Sequence, residues 1–97
     1  MIKSFKDTAT EDVFNDRPSR AARRACPQRI WRVARRKLEQ IDSVDDLRLL
    51  EIPPANRLET LKGDRRGFHS IRINAQYRVV FRWSAAGAED VEIVDYH

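Results

Sequence analysis

The sequence is poor in the residues that build cross-linked or membrane-embedded structures. Its 97 residues include one cysteine, Cys26, together with three glycines and four prolines. A single cysteine excludes an internal disulfide and a cysteine-cluster zinc site, and it fits a chain of the reducing cytoplasm. No apolar run approaches the ~18 residues of a membrane-spanning helix, and no signal peptide opens the chain. We therefore expect a cytoplasmic protein with no membrane partner.

What is abundant is charge, and it is distributed unevenly. The 41% apolar and 35% charged residues are typical of one globular domain, here spanning residues 1–97. The formal charge of +4 hides a segment, residues 17–37, with nine basic side chains and no acidic one. Most basic residues are arginine, whose planar guanidinium binds phosphate through paired hydrogen bonds. This pattern indicates a nucleic-acid surface, although a solvated face or a dock for an acidic protein would look the same.

The first half of the chain has the apolar spacing of helices. In Gln28–Ile41, apolar residues recur every three or four positions and form one stripe. Lys37 falls inside this stripe, so we expect its stem to pack and its ammonium to reach solvent. A second short helix is predicted to begin at Ser43, in a capping-box pattern, and to end before Pro53. The remaining segments are a predicted strand at Ile2–Phe5, one or two helical turns in Asp7–Phe14, and a loop or short helix at Arg17–Pro27.

The face of the Gln28–Ile41 helix opposite its apolar stripe is rich in arginine. It carries Arg29, Arg32, Arg35 and Arg36, with Glu39. Like charges on one exposed face repel one another, and a polyanion would relieve that repulsion. A face that serves only solubility would have the same composition.

From Arg57 onward the apolar period changes from helical to two. The predicted strands are Arg57–Leu61, Phe68–Ile73, Tyr77–Trp83 and Glu89–Asp95. Their short connections predict an antiparallel meander, with the preceding helices covering its apolar face. Tyr77, Phe81 and Trp83 alternate onto that covered face, so we expect them in the core and not stacked on bases. The predicted fold class is α+β.

Standard catalytic and metal-binding motifs are missing, but the last three residues form an unusual set. Asp95, Tyr96 and His97 follow a predicted central strand, which would hold them near the basic residues of the sheet. Together they suit metal-independent RNA cleavage by a 2′-hydroxyl. His97 would be base or acid, Tyr96 would stack or transfer a proton, and Asp95 would orient its neighbours. The nearby cation candidates are Lys62, Arg78 and Arg82, whereas His69 is expected to be a partly exposed strand residue and Cys26 no nucleophile.

Several stretches of the chain resemble the HigB branch of the RelE-like toxins, the plasmid maintenance killer family of bacterial toxin–antitoxin systems. The matching stretches are the opening Met1–Phe5, the helix core Val33–Leu38, the loop Leu61–Gly67, the strands Ser70–Asn74 and Gln76–Trp83, and the ending Glu92–His97. The resemblance implies a RelE-like fold, with N-terminal helices on one face of a mainly antiparallel sheet of four to five strands.

The resemblance also implies an activity and partners. Members of this family are metal-independent, ribosome-dependent endoribonucleases that cut messenger RNA in A-site codons, and no cofactor is expected. A HigA-like helix-turn-helix antitoxin neutralises them, and the toxin meets operator DNA only through that antitoxin. Lys62 and Arg78 match basic active-site positions of the family, and Asp95, Tyr96 and His97 match its C-terminal ones. We expect Arg29, Arg32, Arg35, Arg36, Arg65, Arg66 and Arg82 to contact ribosomal RNA.

One departure from the family pattern keeps alternatives open. Some members have a histidine three residues before the loop lysine, where this chain has Glu59. The proton-transfer role of that histidine would then pass to Glu59 or to His97. Two other functions remain: a ParE-like inhibitor of DNA gyrase, which shares the fold, and a degenerate toxin that acts only as a co-repressor. An intact set of Lys62, Arg78 and His97 argues against gyrase inhibition.

Overall fold

The computed structural model describes residues 1–96, and in this range three α-helices precede a four-stranded antiparallel sheet. The helices are α1 (Thr8–Phe14), α2 (Arg20–Ala25) and α3 (Trp31–Ser43). The strands are β1 (Glu59–Thr60), β2 (Phe68–Arg72), β3 (Tyr77–Ser84) and β4 (Gly87–Asp95), and they pair in chain order. The predicted α+β class and antiparallel meander are confirmed. Within residues 1–96, no helix has the length and apolar character that crossing a bilayer requires.

Side-chain caps explain where the first two helices begin. The Asp7 carboxylate accepts a hydrogen bond from the Thr10 backbone N–H at 2.8 Å, which confirms the predicted start of α1. The stretch Arg17–Pro27, predicted as a loop or a short helix, contains the helix α2. The Ser19 hydroxyl caps this helix by accepting a hydrogen bond from the Ala22 N–H at 3.0 Å. Both short helices therefore depend on an oxygen placed just before their first turn.

The long helix is shifted relative to its predicted bounds. Gln28–Ile30 forms a 3₁₀ turn, and α3 runs from Trp31 to Ser43. The prediction that Ser43 opens a second helix is wrong, because its hydroxyl donates back to the Gln40 carbonyl at 3.0 Å and closes α3. The next turn, a 3₁₀ helix over Leu47–Glu51, is capped instead by the Asp46 carboxylate, which accepts from the Arg48 N–H at 2.9 Å.

The core lies between α3 and one face of the sheet. Ala34, Leu38 and Ile41 of α3 are fully buried against Val79 and Phe81 of β3, among others. The alternation predicted for β3 is confirmed, since Tyr77 and Trp83 also pack against this cluster. Burial of each large apolar side chain contributes about 1.5–3 kcal/mol. The other sheet face, which carries Arg78, is not covered by these helices.

Two predicted strands are shorter in the structure. Ile2–Phe5 makes only isolated parallel bridges to β4, at Ala88 and Val91, so it is a bridged segment and not a regular strand. The strand predicted over Arg57–Leu61 contracts to Glu59–Thr60, because Arg57 adopts the left-handed conformation with φ 47°. That backbone conformation cannot continue a strand.

Gly87 allows the N-terminal segment to pair with β4. The Lys3 N–H donates to the Ala88 carbonyl at 2.7 Å, and the Ala88 N–H donates to the Met1 carbonyl at 2.9 Å. Gly87 has φ +133°, and a Cβ there would overlap the Met1 carbonyl oxygen. A side chain at this position therefore meets backbone, which cannot rotate away.

We predict that Gly87→Ala destabilises the protein more than Gly67→Ala. Gly67 also has positive φ, +89°, but a Cβ there meets no atom within 4 Å. Gly67→Ala is expected to lower the free energy of unfolding by about 1–2 kcal/mol through backbone strain alone. Gly87→Ala adds a steric clash, so we expect a loss of about 3 kcal/mol or more. Urea unfolding measures both, and equal losses would contradict the close approach of Met1.

Candidate functional site

Arg78 is the most constrained charged side chain of the candidate site. Its side chain is only 11% exposed, and its Nη2 lies 2.8 Å from Oε1 of Glu59. Its Nη1 donates to the hydroxyl of the fully buried Ser70 at 2.9 Å and to the Arg57 carbonyl at 3.3 Å. The guanidinium carbon also lies 5.4 Å from the centre of the Tyr96 ring. Four neighbours therefore fix this guanidinium on the open face of the sheet.

Strand order brings these neighbours together from distant parts of the sequence. Ser70 on β2 stands between Glu59 on β1 and Val80 on β3, so the Arg78 side chain reaches across β2 to meet Glu59. On the other side, Arg78 pairs with Val94 of β4, and Tyr96 follows two residues later. Glu59, Arg78 and Tyr96, all predicted as site residues, thus share one site.

A shallow cavity of about 280 Å³ surrounds this arginine. The described residues that line it are Arg57, Glu59, Arg72, Asn74, Ala75, Arg78 and Tyr96. Among them three are arginines and one is a carboxylate, so the lining has an excess of positive charge. Such a lining is suited to an anionic ligand.

The end of β4 is attached to the turn between β2 and β3. The Tyr96 backbone N–H donates to the Gln76 carbonyl at 2.7 Å, and the Gln76 side chain donates to the Asp95 carboxylate at 3.1 Å. The chain end is therefore held at the sheet, as predicted from a strand that precedes it, but only Tyr96 lines the cavity. Asp95 pairs with Tyr77, which packs on the helix-covered side, and it is not among the described residues that line the cavity. His97, which is predicted to act in proton transfer, lies outside the described residues.

Other predicted cations are not brought to Arg78. Lys62 is exposed in the loop between β1 and β2 and is not one of the described residues that line the cavity. Arg65 lines a second depression, which Phe68 and Glu92 also border. Arg82 lies with its guanidinium carbon 4.9 Å from the centre of the Phe68 ring, so its side chain is placed toward that depression.

The arginine face of α3 and the turn before it is exposed except at one position. Arg29, Arg32 and Arg36 are exposed, as is Arg66 in the β1–β2 loop. Arg35 differs because its Nη1 lies 2.6 Å from the Asp16 carboxylate and its side chain is 30% exposed. Of the four arginines on this face that are predicted to contact RNA, three are therefore exposed and one is paired with a carboxylate.

Asn56 holds the segment that presents Arg57. It is fully buried, and its Oδ1 accepts from Nζ of Lys37 at 2.6 Å. Its Nδ2 donates to Oε1 of Gln40 and to the Leu50 carbonyl, both at 3.0 Å. The half-buried Lys37 side chain thus ends on an ammonium that donates to a buried amide oxygen, a partner that the apolar stripe does not predict. Burial, with a smaller contribution from the charge of Arg36, lowers the pKa of Lys37.

The remaining titratable candidates lie away from Arg78. His69 pairs with Phe81 across the strands, its ring packs against the Phe81 ring, and its Nδ1 is 3.2 Å from the Thr60 hydroxyl. Burial lowers the pKa of His69, so it is neutral at neutral pH. Burial raises the pKa of the Cys26 thiol to about 11, which keeps it protonated and agrees with its predicted lack of nucleophilic role.

Sequence reasoning missed four residues of the site. Arg72 and Ser70 could have been found, because both alternate onto the same strand face as Arg78 once the strands are in register. Arg57 gave no such signal, since its left-handed backbone is set by the packing of the segment before it. Asn74 could be predicted only as a turn residue, because asparagine is common in turns. In the structure its Oδ1 accepts hydrogen bonds from the Gln76 and Tyr77 N–H groups, both at 2.8 Å.

Comparison with known proteins shows which protein family this chain is similar to. A family model described as the RelE-like toxin HigB of type II toxin–antitoxin systems matches residues 3–97. The protein named Toxin HigB-1 of Vibrio cholerae serotype O1 is 40% identical over 83 residues, which cover 86% of this chain and 84% of that protein. The protein named Endoribonuclease HigB of Proteus vulgaris is 30% identical over the full length of both chains. A solved structure described as a YoeB/ParE toxin from Agrobacterium tumefaciens aligns over 98% of both chains, with a TM-score of 0.49 and 23% identity.

We predict that Asn56→Ala lowers the free energy of unfolding by about 2–3 kcal/mol, because it leaves the Lys37 ammonium and the Leu50 carbonyl without this hydrogen-bond partner. Asn15→Ala is the matched control, since Asn15 is exposed at the end of α1. We expect that change to stay within about 0.5 kcal/mol. Urea unfolding followed by circular dichroism compares the two variants. A small effect at Asn56 would show that the buried network does not stabilise the segment before β1.

Proposed function

Because the chain belongs to the HigB family of RelE-like toxins of type II toxin–antitoxin systems, we propose that it is an endoribonuclease. Its substrate is messenger RNA in the A site of the ribosome, which it cuts within codons, so that translation and growth stop. The observation that carries this proposal is the Arg78 guanidinium, 11% exposed and fixed beside the Glu59 carboxylate in a cavity rich in arginine. The printed name of the Proteus vulgaris relative supports the reaction class.

The proposed reaction is a transesterification within the RNA chain. The 2′-oxygen attacks the adjacent phosphorus, the bond to the 5′-oxygen breaks, and the products end in a 2′,3′-cyclic phosphate and a 5′-hydroxyl. A base takes the proton of the 2′-hydroxyl, and an acid gives a proton to the leaving oxygen. Between them, negative charge accumulates on the phosphoryl oxygens. Preorganised cations aimed at that charge contribute a large part of the rate enhancement.

We assign roles from the positions of the side chains. Arg78 stabilises the phosphoryl oxygens, because its guanidinium lines the cavity and is already fixed by its neighbours. Glu59, which lies against it, and His97 form the proton-transfer pair. Tyr96 stacks on a base or transfers a proton, and Asp95 orients the end of β4. Lys62 reaches the substrate from its exposed loop, and this chemistry requires no metal ion or cofactor.

The proposed partners follow from charge and size. Arg29, Arg32 and Arg36, with Arg65, Arg66 and Arg82, contact ribosomal RNA through sequence-independent phosphate interactions, and Arg35 contributes less because the Asp16 carboxylate already neutralises it. The ribosome presents the message already positioned, which suits the shallow cavity. A HigA-like helix-turn-helix antitoxin neutralises the protein in the cytoplasm. Operator DNA is contacted only through that antitoxin.

We predict that Arg78→Gln lowers the rate of messenger RNA cleavage on purified translating ribosomes by about 10²–10³-fold, because it removes the fixed cation. Mapping of RNA 5′ ends measures the rate and shows whether the cuts fall within codons. Arg48→Gln is the control, since Arg48 is exposed and pairs with Asp46 away from the cavity. Full activity of a folded Arg78→Gln variant would refute the catalytic role, and cuts without relation to codons would refute ribosome dependence.

We predict that replacing Arg29, Arg32 and Arg36 together with glutamine weakens binding to ribosomes and lowers its salt dependence. Removal of three phosphate contacts is expected to reduce the slope of log affinity against log salt by roughly 2. Arg35→Gln provides the comparison, because the Asp16 carboxylate already neutralises Arg35. Arg35→Gln should change the slope of log affinity against log salt by much less than one third of the change caused by the triple substitution. A salt slope unaltered by the triple substitution would exclude this face from ribosome contact.

A further inference from the structure

The cavity around Arg78 has more positive charge than its carboxylate balances. Among the described residues that line it, Arg57, Arg72 and Arg78 face a single acidic group, Glu59. We propose that the cavity binds consecutive phosphates of the RNA backbone, with Arg57 and Arg72 holding the phosphates next to the one at Arg78. In this proposal Glu59 occupies a phosphate position until the RNA displaces it. The inference rests on the proposed function. It adds Arg57 and Arg72 as phosphate-binding residues, and it gives Glu59 a second role as the group that fills a phosphate position before RNA binds.

The two members of the ion pair differ in how firmly they are held. Arg78 is 11% exposed and keeps Ser70, the Arg57 carbonyl and the Tyr96 ring as neighbours without Glu59. Glu59 has a 52% exposed side chain and belongs to a strand of two residues at the edge of the sheet. An incoming anion can therefore replace the Glu59 carboxylate while the guanidinium stays in place. The displaced carboxylate then lies beside the bound phosphate, where the proposed reaction needs a base.

Arg72 is positioned to bind a second phosphate. It is the direct pairing partner of Arg78 across β2 and β3, so both side chains rise from neighbouring points on the open face of the sheet. Its Nε donates to the Asn74 carbonyl at 3.0 Å, which orients the guanidinium along the cavity wall. Two oriented guanidinium groups side by side match the repeating anions of a backbone better than a single carboxylate.

Arg57 lines the cavity from the segment just before β1. Its left-handed backbone turns the carbonyl toward Arg78, while its exposed side chain lines the cavity. The buried network around Asn56 fixes the residue just before it. Arg57 thus contributes its carbonyl to orient Arg78 and its guanidinium to bind the ligand.

Size and ring chemistry favour a nucleic-acid strand over an acidic peptide. The cavity, about 280 Å³, is at the lower limit of the ~300–1,000 Å³ of pockets that enclose a whole small molecule. An extended chain would place one backbone unit inside it and continue over the surface. Tyr96 is 41% exposed beside the Arg78 guanidinium, and an exposed aromatic ring at such a position can stack on a base.

The test measures binding without cleavage, using a 5′-phosphorylated trinucleotide, which carries three phosphates and whose 2′-hydroxyls are replaced by hydrogen, so that it cannot react. Calorimetric titration of the full chain compares Arg72→Gln, Glu59→Gln and the control Arg48→Gln. We expect Arg72→Gln to weaken trinucleotide binding about tenfold, since one charge-assisted phosphate contact is lost. Glu59→Gln should strengthen it severalfold, because the neutral amide competes poorly for Arg78. Arg48→Gln should bind as the parent chain does.

Opposite results would overturn the proposal. Unchanged binding by Arg72→Gln excludes the second phosphate position, and weaker binding by Glu59→Gln shows that the carboxylate supports the ligand. Tighter binding of tetraglutamate than of the trinucleotide would assign the cavity to an acidic protein segment. The assay needs neither ribosome nor cleavage, so it separates the two proposals. Normal trinucleotide binding with no cleavage on ribosomes would refute the proposed function alone.

Discussion

The burial of one guanidinium on the uncovered face of the sheet is the constraint on which the rest of the site depends. A buried charge is costly unless it is paired and hydrogen-bonded. Arg78 meets this requirement with a carboxylate on β1, a hydroxyl on β2 and a carbonyl from the segment before β1. The partners come from two separate stretches of the chain, residues 57–59 and Ser70, so the site exists only when the sheet is assembled in register.

The same constraint connects the helical layer with the site. α3 contributes Lys37 and Gln40 to the buried Asn56, and the residue after Asn56 gives Arg78 its carbonyl partner. The packing of the arginine-bearing helix and the position of the candidate catalytic cation are therefore linked through a few hydrogen bonds. We infer that the segment before β1 is a support of the site as much as a connection between helix and sheet.

Periodicity predicted the parts of the fold that depend on burial, and it failed where one polar contact decides the local structure. The alternation of Tyr77, Val79 and Phe81 identified β3 and its core face, because apolar side chains must be covered. Ser43 was misassigned, and the hydrogen bond from Lys37 to Asn56 was not predicted, because three-dimensional packing decides the partners of both side chains. In the site, Arg78 was predicted as a cation near the end of the chain and again through the family resemblance, whereas Glu59 was predicted through the resemblance alone. Their ion pair depends on strand register, which a single sequence does not specify.

Charge distribution explains how so small a protein can act on a large substrate. The arginine face of α3 and the arginine-lined cavity lie on different sides of the sheet, since α3 covers the face opposite Arg78. One surface can then bind a structured polyanion while the other receives a single strand. The excess of acidic residues outside positions 17–37 disfavours the binding of a polyanion over much of the remaining surface. Under the proposed function, the ribosome supplies the enclosure that a deep pocket provides in larger enzymes, and the protein supplies the fixed cation.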